Sequence, residues 1–199
     1  MATREERFVE DVTAFNHEMT VAAVRADFDK VKNAVAATFP EISATPVYSQ
    51  FDMMAAGLAA YQVAGSEWTV IIYSIGWYSP SGFQNLTEIS GSLKADALVY
   101  VAEDTSGEEY IQFFRNGDLK ATIRSDYESD NSLSKAELEK AFKLSDAELE
   151  TSSYVKVFEN LKVSPLSVGM GENGELLFDA DAEDIELKYA AFQSPGFKR

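Results

Sequence analysis

The chain has 199 residues, enough for one substantial domain or two small ones, and its 46% hydrophobic and 12% aromatic content excludes a disordered polymer. It contains no run of about 18 apolar residues, which excludes a membrane-spanning helix, and no cysteine, which excludes disulfides, thiolate zinc sites and thiol catalysis. Thirty-three Asp and Glu against seventeen Lys and Arg give a formal net charge of −16, a balance that repels nucleic-acid phosphates and anionic lipids and attracts basic proteins.

The acidic excess is −6 over residues 1–100 and −10 over residues 101–199, so it is distributed with a bias toward the second half. Net charge speaks to solubility before it speaks to partners. The charged start, Met1 to Phe8, lacks the apolar centre of a signal peptide, and a cytoplasmic location is expected.

In chain order, Phe8–Phe15 favours a strand. Val21, Val24, Phe28, Val31 and Val35 recur at spacings of three and four, which predicts a helix capped by Thr20 and ended by Pro40. Val47–Phe51 reads as a strand and Met53–Ala60 as an apolar connection. Three hairpins follow. Ala60–Val63 and Trp68–Tyr73 flank Gly65-Ser66, and Leu98–Val101 and Tyr110–Phe114 flank the stretch 104–107. The strand 110–114 turns again at Asn116-Gly117 into Leu119–Arg124, because both turn residues tolerate positive φ. Leu166–Val168 and Leu176–Phe178 form the last hairpin, around Asn173-Gly174.

Helices punctuate the strands. Thr87 is expected to cap one reaching about Lys94. Ser134 with Glu137, and Ser145 with Glu148, fit the capping box in which Ser and Glu satisfy each other's backbone donors. The first starts a helix carrying Leu138, Ala141 and Phe142, the second one carrying Leu149, Tyr154, Phe158 and Leu161. Ile185–Tyr189 alternates and returns as a final strand. The expected fold is α+β: a single domain over 1–199, with a largely antiparallel sheet built from hairpins and several packed helices. The polar stretch Ser125–Ser132 is the one candidate boundary.

Each candidate chemistry has a plainer reading beside it. Asp104-Thr105-Ser106-Gly107 resembles the Asp-Thr/Ser-Gly of aspartic proteases, but Ser106 interrupts the motif and no second copy supplies the partner carboxylate. Turns select the same residues, so a hairpin turn is the expectation. His17 is the only histidine and no Gly-x-Ser-x-Gly elbow accompanies it. Neither phosphate-binding glycine motif occurs. Asp179, Asp181 and Glu183 alternate, so a strand would direct them to one face where a hard cation could bind. The calcium-loop offsets are absent, and a solvated acidic face is the plainer reading. Asn85-Leu86-Thr87 matches a glycosylation sequon, read here as chance.

Gly76–Phe83 sets three aromatics, Trp77, Tyr78 and Phe83, in a loop bounded by glycine and broken by Pro80. Trp and Tyr are favoured at recognition surfaces because they bury large area with a polar handle. The alternative is that they fold inward and cap the core. The expected function is therefore a non-catalytic acidic protein that occupies a basic surface of a protein partner, as an inhibitor, an immunity protein or a nucleic-acid-mimicking decoy does. Partner-binding candidates are Trp77, Tyr78, Phe83, Glu108 and Glu109. No catalytic residue, metal, cofactor, nucleic acid or membrane is expected. The alternatives are a carboxylate-dependent, metal-assisted hydrolase and a structural homo-oligomer subunit.

Overall fold

The computed structural model describes residues 19–40, 43–45, 57–73, 81–103, 108–124, 135–142, 168–170, 176–178 and 187–193. Ten strands are β1 (Met19–Val24), β2 (Ser43–Thr45), β3 (Gly57–Val63), β4 (Thr69–Tyr73), β5 (Asp96–Glu103), β6 (Glu108–Arg115), β7 (Asp118–Arg124), β8 (Val168–Met170), β9 (Leu176–Phe178) and β10 (Leu187–Gln193). Three helices accompany them: α1 (Phe28–Thr38), α2 (Ser81–Leu93) and α3 (Lys135–Phe142). Eight strands form one sheet in the order β2-β10-β3-β4-β1-β5-β6-β7, and β8 pairs with β9 separately. Every adjacent pair is antiparallel. The mixed α+β class is thus observed, with three helices among the described residues rather than the larger number expected. None of these helices is long and apolar enough to cross a membrane.

The centre of the sheet has a recognisable topology. β1-α1-β3 and β4-α2-β5 are crossovers between parallel strands, each spanning one antiparallel strand, and the resulting order β3-β4-β1-β5 is that of the ferredoxin-like split βαβ arrangement. β6 and β7 extend it beyond β5, while β10 and β2 extend it beyond β3.

The Thr20-capped helix is corrected: Met19–Val24 is a strand, and the helix begins only at Phe28. The register explains why. Val21-Ala22-Ala23-Val24 lies between β4 and β5 and all four residues are buried, so both sheet faces demand apolar side chains and no alternation remains to signal a strand. Val24 merely falls in helical phase with Phe28, Val31 and Val35.

Alternation divides the core into two layers. Ala22, Val24, Ala60, Ile71, Val99 and Phe192 point to the side where Phe28, Val31 and Val35 of α1 pack with Leu86 and Ile89 of α2. The opposite face is buried as well, through Tyr61, Val70, Leu98, Tyr100, Ile111 and Phe113.

Polar side chains join the helices to this sheet. Asp27 is the N-cap residue of α1 but makes no side-chain hydrogen bond to the helix start. Gln62 on β3 takes that role: its Oε1 accepts from Phe28 N–H at 3.0 Å while its Nε2 donates to Ser66 O at 3.0 Å. Thr69 Oγ1 donates to Ala26 O at 2.8 Å, so the β3–β4 hairpin grips the start of α1 from both strands.

The end of α2 is held by Ser90, which is fully buried. Its Oγ donates to Ala95 O at 2.6 Å and accepts from Gly117 N–H at 3.1 Å. Asn116 (φ 55°) and Gly117 (φ 89°) form the anticipated two-residue β6–β7 turn, with Arg115 paired to Asp118. That turn sits directly on the helix: a Cβ at Gly117 would lie 3.0 Å from Gly91 Cα and 3.1 Å from Thr87 O.

Other sequence expectations divide cleanly. The β3–β4, β5–β6 and β6–β7 strand pairs are present, β8 pairs with β9 but runs Val168–Met170 and shares only Val168 with the expected strand, and α3 starts at Lys135. Gly57–Ala60, expected as connection, belongs to β3. The Thr87 cap is corrected, because α2 starts six residues earlier at Ser81 and Thr87 lies inside it. The final strand runs Leu187–Gln193. Phe8–Phe15, Val47–Phe51, Ser125–Ser132 and the Ser145 helix lie outside the described residues.

Two comparisons by urea unfolding check these joints. Gln62→Ala is expected to lose about 1–3 kcal/mol, since it strips the Phe28 amide of its acceptor, whereas Asp27→Ala should stay within about 0.5 kcal/mol despite its cap position. Gly117→Ala should destabilise by more than about 1 kcal/mol, combining positive φ with a backbone clash. Gly91→Ala, whose Cβ would meet Gly117 Cα at an ordinary 3.5 Å, should be neutral or stabilise by up to about 1 kcal/mol through helix propensity. Equal losses for the two glycines would contradict the packing.

Candidate interaction surface

One end of the sheet collects the segments that carry the sequence candidates. β1 starts there at Met19, paired with Ala102 of β5, and β4 finishes there at Tyr73, paired with Leu58. α2 has its last turn fixed at the opposite end, where Lys94 N–H donates to Gly91 O and Ala95 N–H to Ser90 O beside Asp96. Its first turn therefore points back toward the Tyr73 and Glu103 end, and Phe83 is the third residue of that turn. Trp77 and Tyr78 lie outside the described residues, in the connector between Tyr73 and Ser81.

Glu108 and Glu109 open β6 at this same end. Glu109 pairs with Ala102, and Glu108 pairs with Glu103, so the last rung of the β5–β6 ladder carries an acidic residue on each strand. Like charges directly opposite one another destabilise a sheet. The stretch 104–107 lies outside the described residues, but its flanks are partners on adjacent antiparallel strands, as a hairpin connection requires. The structure thus brings Phe83, Glu108 and Glu109 to one end of the fold.

The other end is electrostatically different. Arg115 forms a two-point contact with Asp96, Nε to Oδ1 at 2.8 Å and Nη2 to Oδ2 at 3.4 Å. Its guanidinium lies 5.2 Å from the centre of the Phe113 ring. The Asp96 hydrogen bond raises the Arg115 pKa above its usual value, burial opposes this, and the charges of Asp96 and of Glu137 on α3 add to the rise. Arg115 is a permanent cation held in place, and Glu137 brings α3 within its field.

Pairing of this kind recurs across the framework: Arg25 with Glu67 at 2.7 Å, Lys120 with Asp118 at 3.0 Å, Lys30 with Asp27 at 3.7 Å and Lys188 with Asp29 at 3.9 Å. These are surface pairs that add little stability. The described residues hold eleven Asp and Glu against ten Lys and Arg, a net of −1. The remaining segments hold twenty-two against seven, a net of −15. Residues 172–186 alone carry seven acidic residues and no basic one, Asp179, Asp181 and Glu183 among them. Those three lie outside the described residues, as does His17. Among the described residues no three potential metal ligands converge.

Sequence reasoning overlooked Gln62 and Ser90. A weak signal existed for Gln62, a polar residue in phase with inward-facing Leu58 and Ala60. Ser90 gave none. No family model matches this sequence, and neither the curated proteins nor the solved structures offer a match.

The Glu103–Glu108 rung gives a direct test. Glu108→Gln should stabilise the fold by about 0.2–1 kcal/mol in low-salt urea titrations, and the gain should shrink as salt is added. A loss of stability would mean that Glu108 is held by a favourable contact.

Proposed function

We propose that the protein is a non-catalytic acidic binding protein that occupies a basic surface of a protein partner. The observation that carries this reading is the net charge of −16, thirty-three Asp and Glu against seventeen Lys and Arg. Glu108 stands opposite Glu103 on the last rung of the β5–β6 ladder, and a basic partner would relieve like charges at such positions.

The division of labour follows from screening. At about 0.15 M salt the Debye length is near 8 Å, so distributed carboxylates steer encounter more than they hold a complex. Retention needs a desolvated apolar patch. Trp77, Tyr78 and Phe83 supply the side chains, carried on the β4–α2 segment, which leaves β4 at the same end of the sheet where β6 begins. Glu108 and Glu109 attract the partner, and the aromatics retain it.

Surface plasmon resonance against immobilised basic proteins, lysozyme and a core histone, tests this with serum albumin as the acidic control. Binding is expected to the basic proteins alone and to weaken with salt. Glu108→Gln together with Glu109→Gln should lower the association rate, and Trp77→Ala should raise the dissociation rate with a loss of about 2 kcal/mol. Binding to albumin, or binding that strengthens with salt, would overturn the electrostatic reading. Unfolding of Trp77→Ala would assign that ring to the core instead.

A further inference from the structure

The Asn116–Gly117 turn joins a reactive dipeptide to an unusual restraint. Asn followed by Gly is the backbone step most prone to intramolecular imide formation, because glycine offers the attacking nitrogen no steric shield. Asn116 is exposed to water. Gly117 is not free: its amide hydrogen is donated to the buried Ser90 Oγ at 3.1 Å, and its Cα is seated against Gly91. Asn116 N–H in turn donates to Ala95 O at 3.3 Å. The nucleophile of the reaction and the residue carrying the electrophile are thus both tied to the end of α2.

We propose that Asn116–Gly117 is a deamidation site that the fold holds unreactive, with Ser90 as the residue that restrains the attacking amide. The chemistry is complete with water alone. The Gly117 nitrogen loses its proton to solvent base and bonds to Asn116 Cγ, the Cγ–Nδ2 bond of the asparagine amide breaks, and ammonia leaves. Water then opens the five-membered imide at one carbonyl or the other, leaving an aspartate or an isoaspartate at position 116.

In the folded turn the Gly117 proton is engaged, and attack requires rotation about the Asn116 Cα–C bond. That rotation draws Gly117 away from both Ser90 and Gly91. Reaction is therefore confined to the fraction of molecules in which the turn has opened. The product cannot return. An isoaspartate inserts an extra methylene into a two-residue turn whose glycine already has backbone 3.0–3.1 Å from where a Cβ would lie. An aspartate adds a further negative charge beside Asp118. Opening of this turn is thereby converted from a reversible fluctuation into a permanent mark.

Peptide mapping by mass spectrometry tests the proposal on the full-length protein at mildly alkaline pH. In urea, Asn116 and Asn173, which begin the two Asn–Gly steps of the sequence, should react at similar rates. In buffer, Asn116 should slow by well over tenfold relative to its own rate in urea. Ser90→Ala should accelerate reaction at Asn116 by about tenfold in buffer, the effect of one lost buried hydrogen bond on local opening. Val31→Ala, a cavity in the core that removes none of the turn's hydrogen bonds, should leave the Asn116 rate close to that of the unaltered protein. If Ser90→Ala does not fold by circular dichroism, Ser90→Cys, with a weaker acceptor of similar size, takes its place. Equal rates in buffer and urea would overturn the protected site. Equal acceleration by the Ser90 and Val31 variants would overturn the role of Ser90.

Discussion

The fold depends on four consecutive residues, Val21-Ala22-Ala23-Val24. This segment of β1 pairs with β4 on one side and β5 on the other, and it is buried on both faces. Both crossovers use it: α1 leaves from its end, and the β4–α2–β5 connection passes over it. The two central alanines keep the strand thin, so the helices on one side can sit close to the sheet while Tyr61, Leu98 and Tyr100 fill the other. Polar side chains serve the rims, where a helix terminus would otherwise leave backbone groups unsatisfied. Gln62 of β3 serves the start of α1, and Ser90 of α2 serves the Gly117 amide in the β6–β7 turn. Each is a side chain from one element that completes the hydrogen bonding of another, so the joints are tertiary rather than local.

That construction leaves electrostatics little part in holding the framework together. Arg25, Lys30, Arg115, Lys120 and Lys188 each have a carboxylate partner, and the core is apolar in both layers. On the last rung of the β5–β6 ladder, by contrast, two acidic residues, Glu103 and Glu108, stand opposite one another.

What the sequence revealed follows from the range of the interactions that decide each element. Hairpins were legible because their turns are set by adjacent residues: Gly65 and Asn116-Gly117 have the positive φ values those turns require. The identity of β1 was not legible, because a strand buried on both faces loses its period of two, and Val24 then completes a helical series with Phe28 and Val31. The Thr87 cap failed because the helix extends back through it to Ser81, and a Thr inside a helix looks the same in sequence as one at its start. The position of β10 between β2 and β3 was beyond reach, since nothing local records a pairing across more than a hundred residues. Of the interaction candidates, Glu108 and Glu109 are the first two residues of β6. Phe83 proved to be helical rather than part of a loop.

The insertion of β10 bears on how the protein is made. β10 lies next to β3 in the sheet yet follows the other described strands in sequence. During synthesis, the segment from β1 to β5 holds every element of the split βαβ unit and emerges first. Among the described strands β3 has no neighbour on its outer side until Leu187–Gln193 arrives, and until then Leu58, Ala59 and Ala60 border an unpaired edge. Unpaired edges of this kind template association with other polypeptides, and such long-range pairings form slowly. Nascent molecules therefore pass through an interval in which the finished half of the sheet is competent to pair with the wrong strand, and the arrival of β10 ends it.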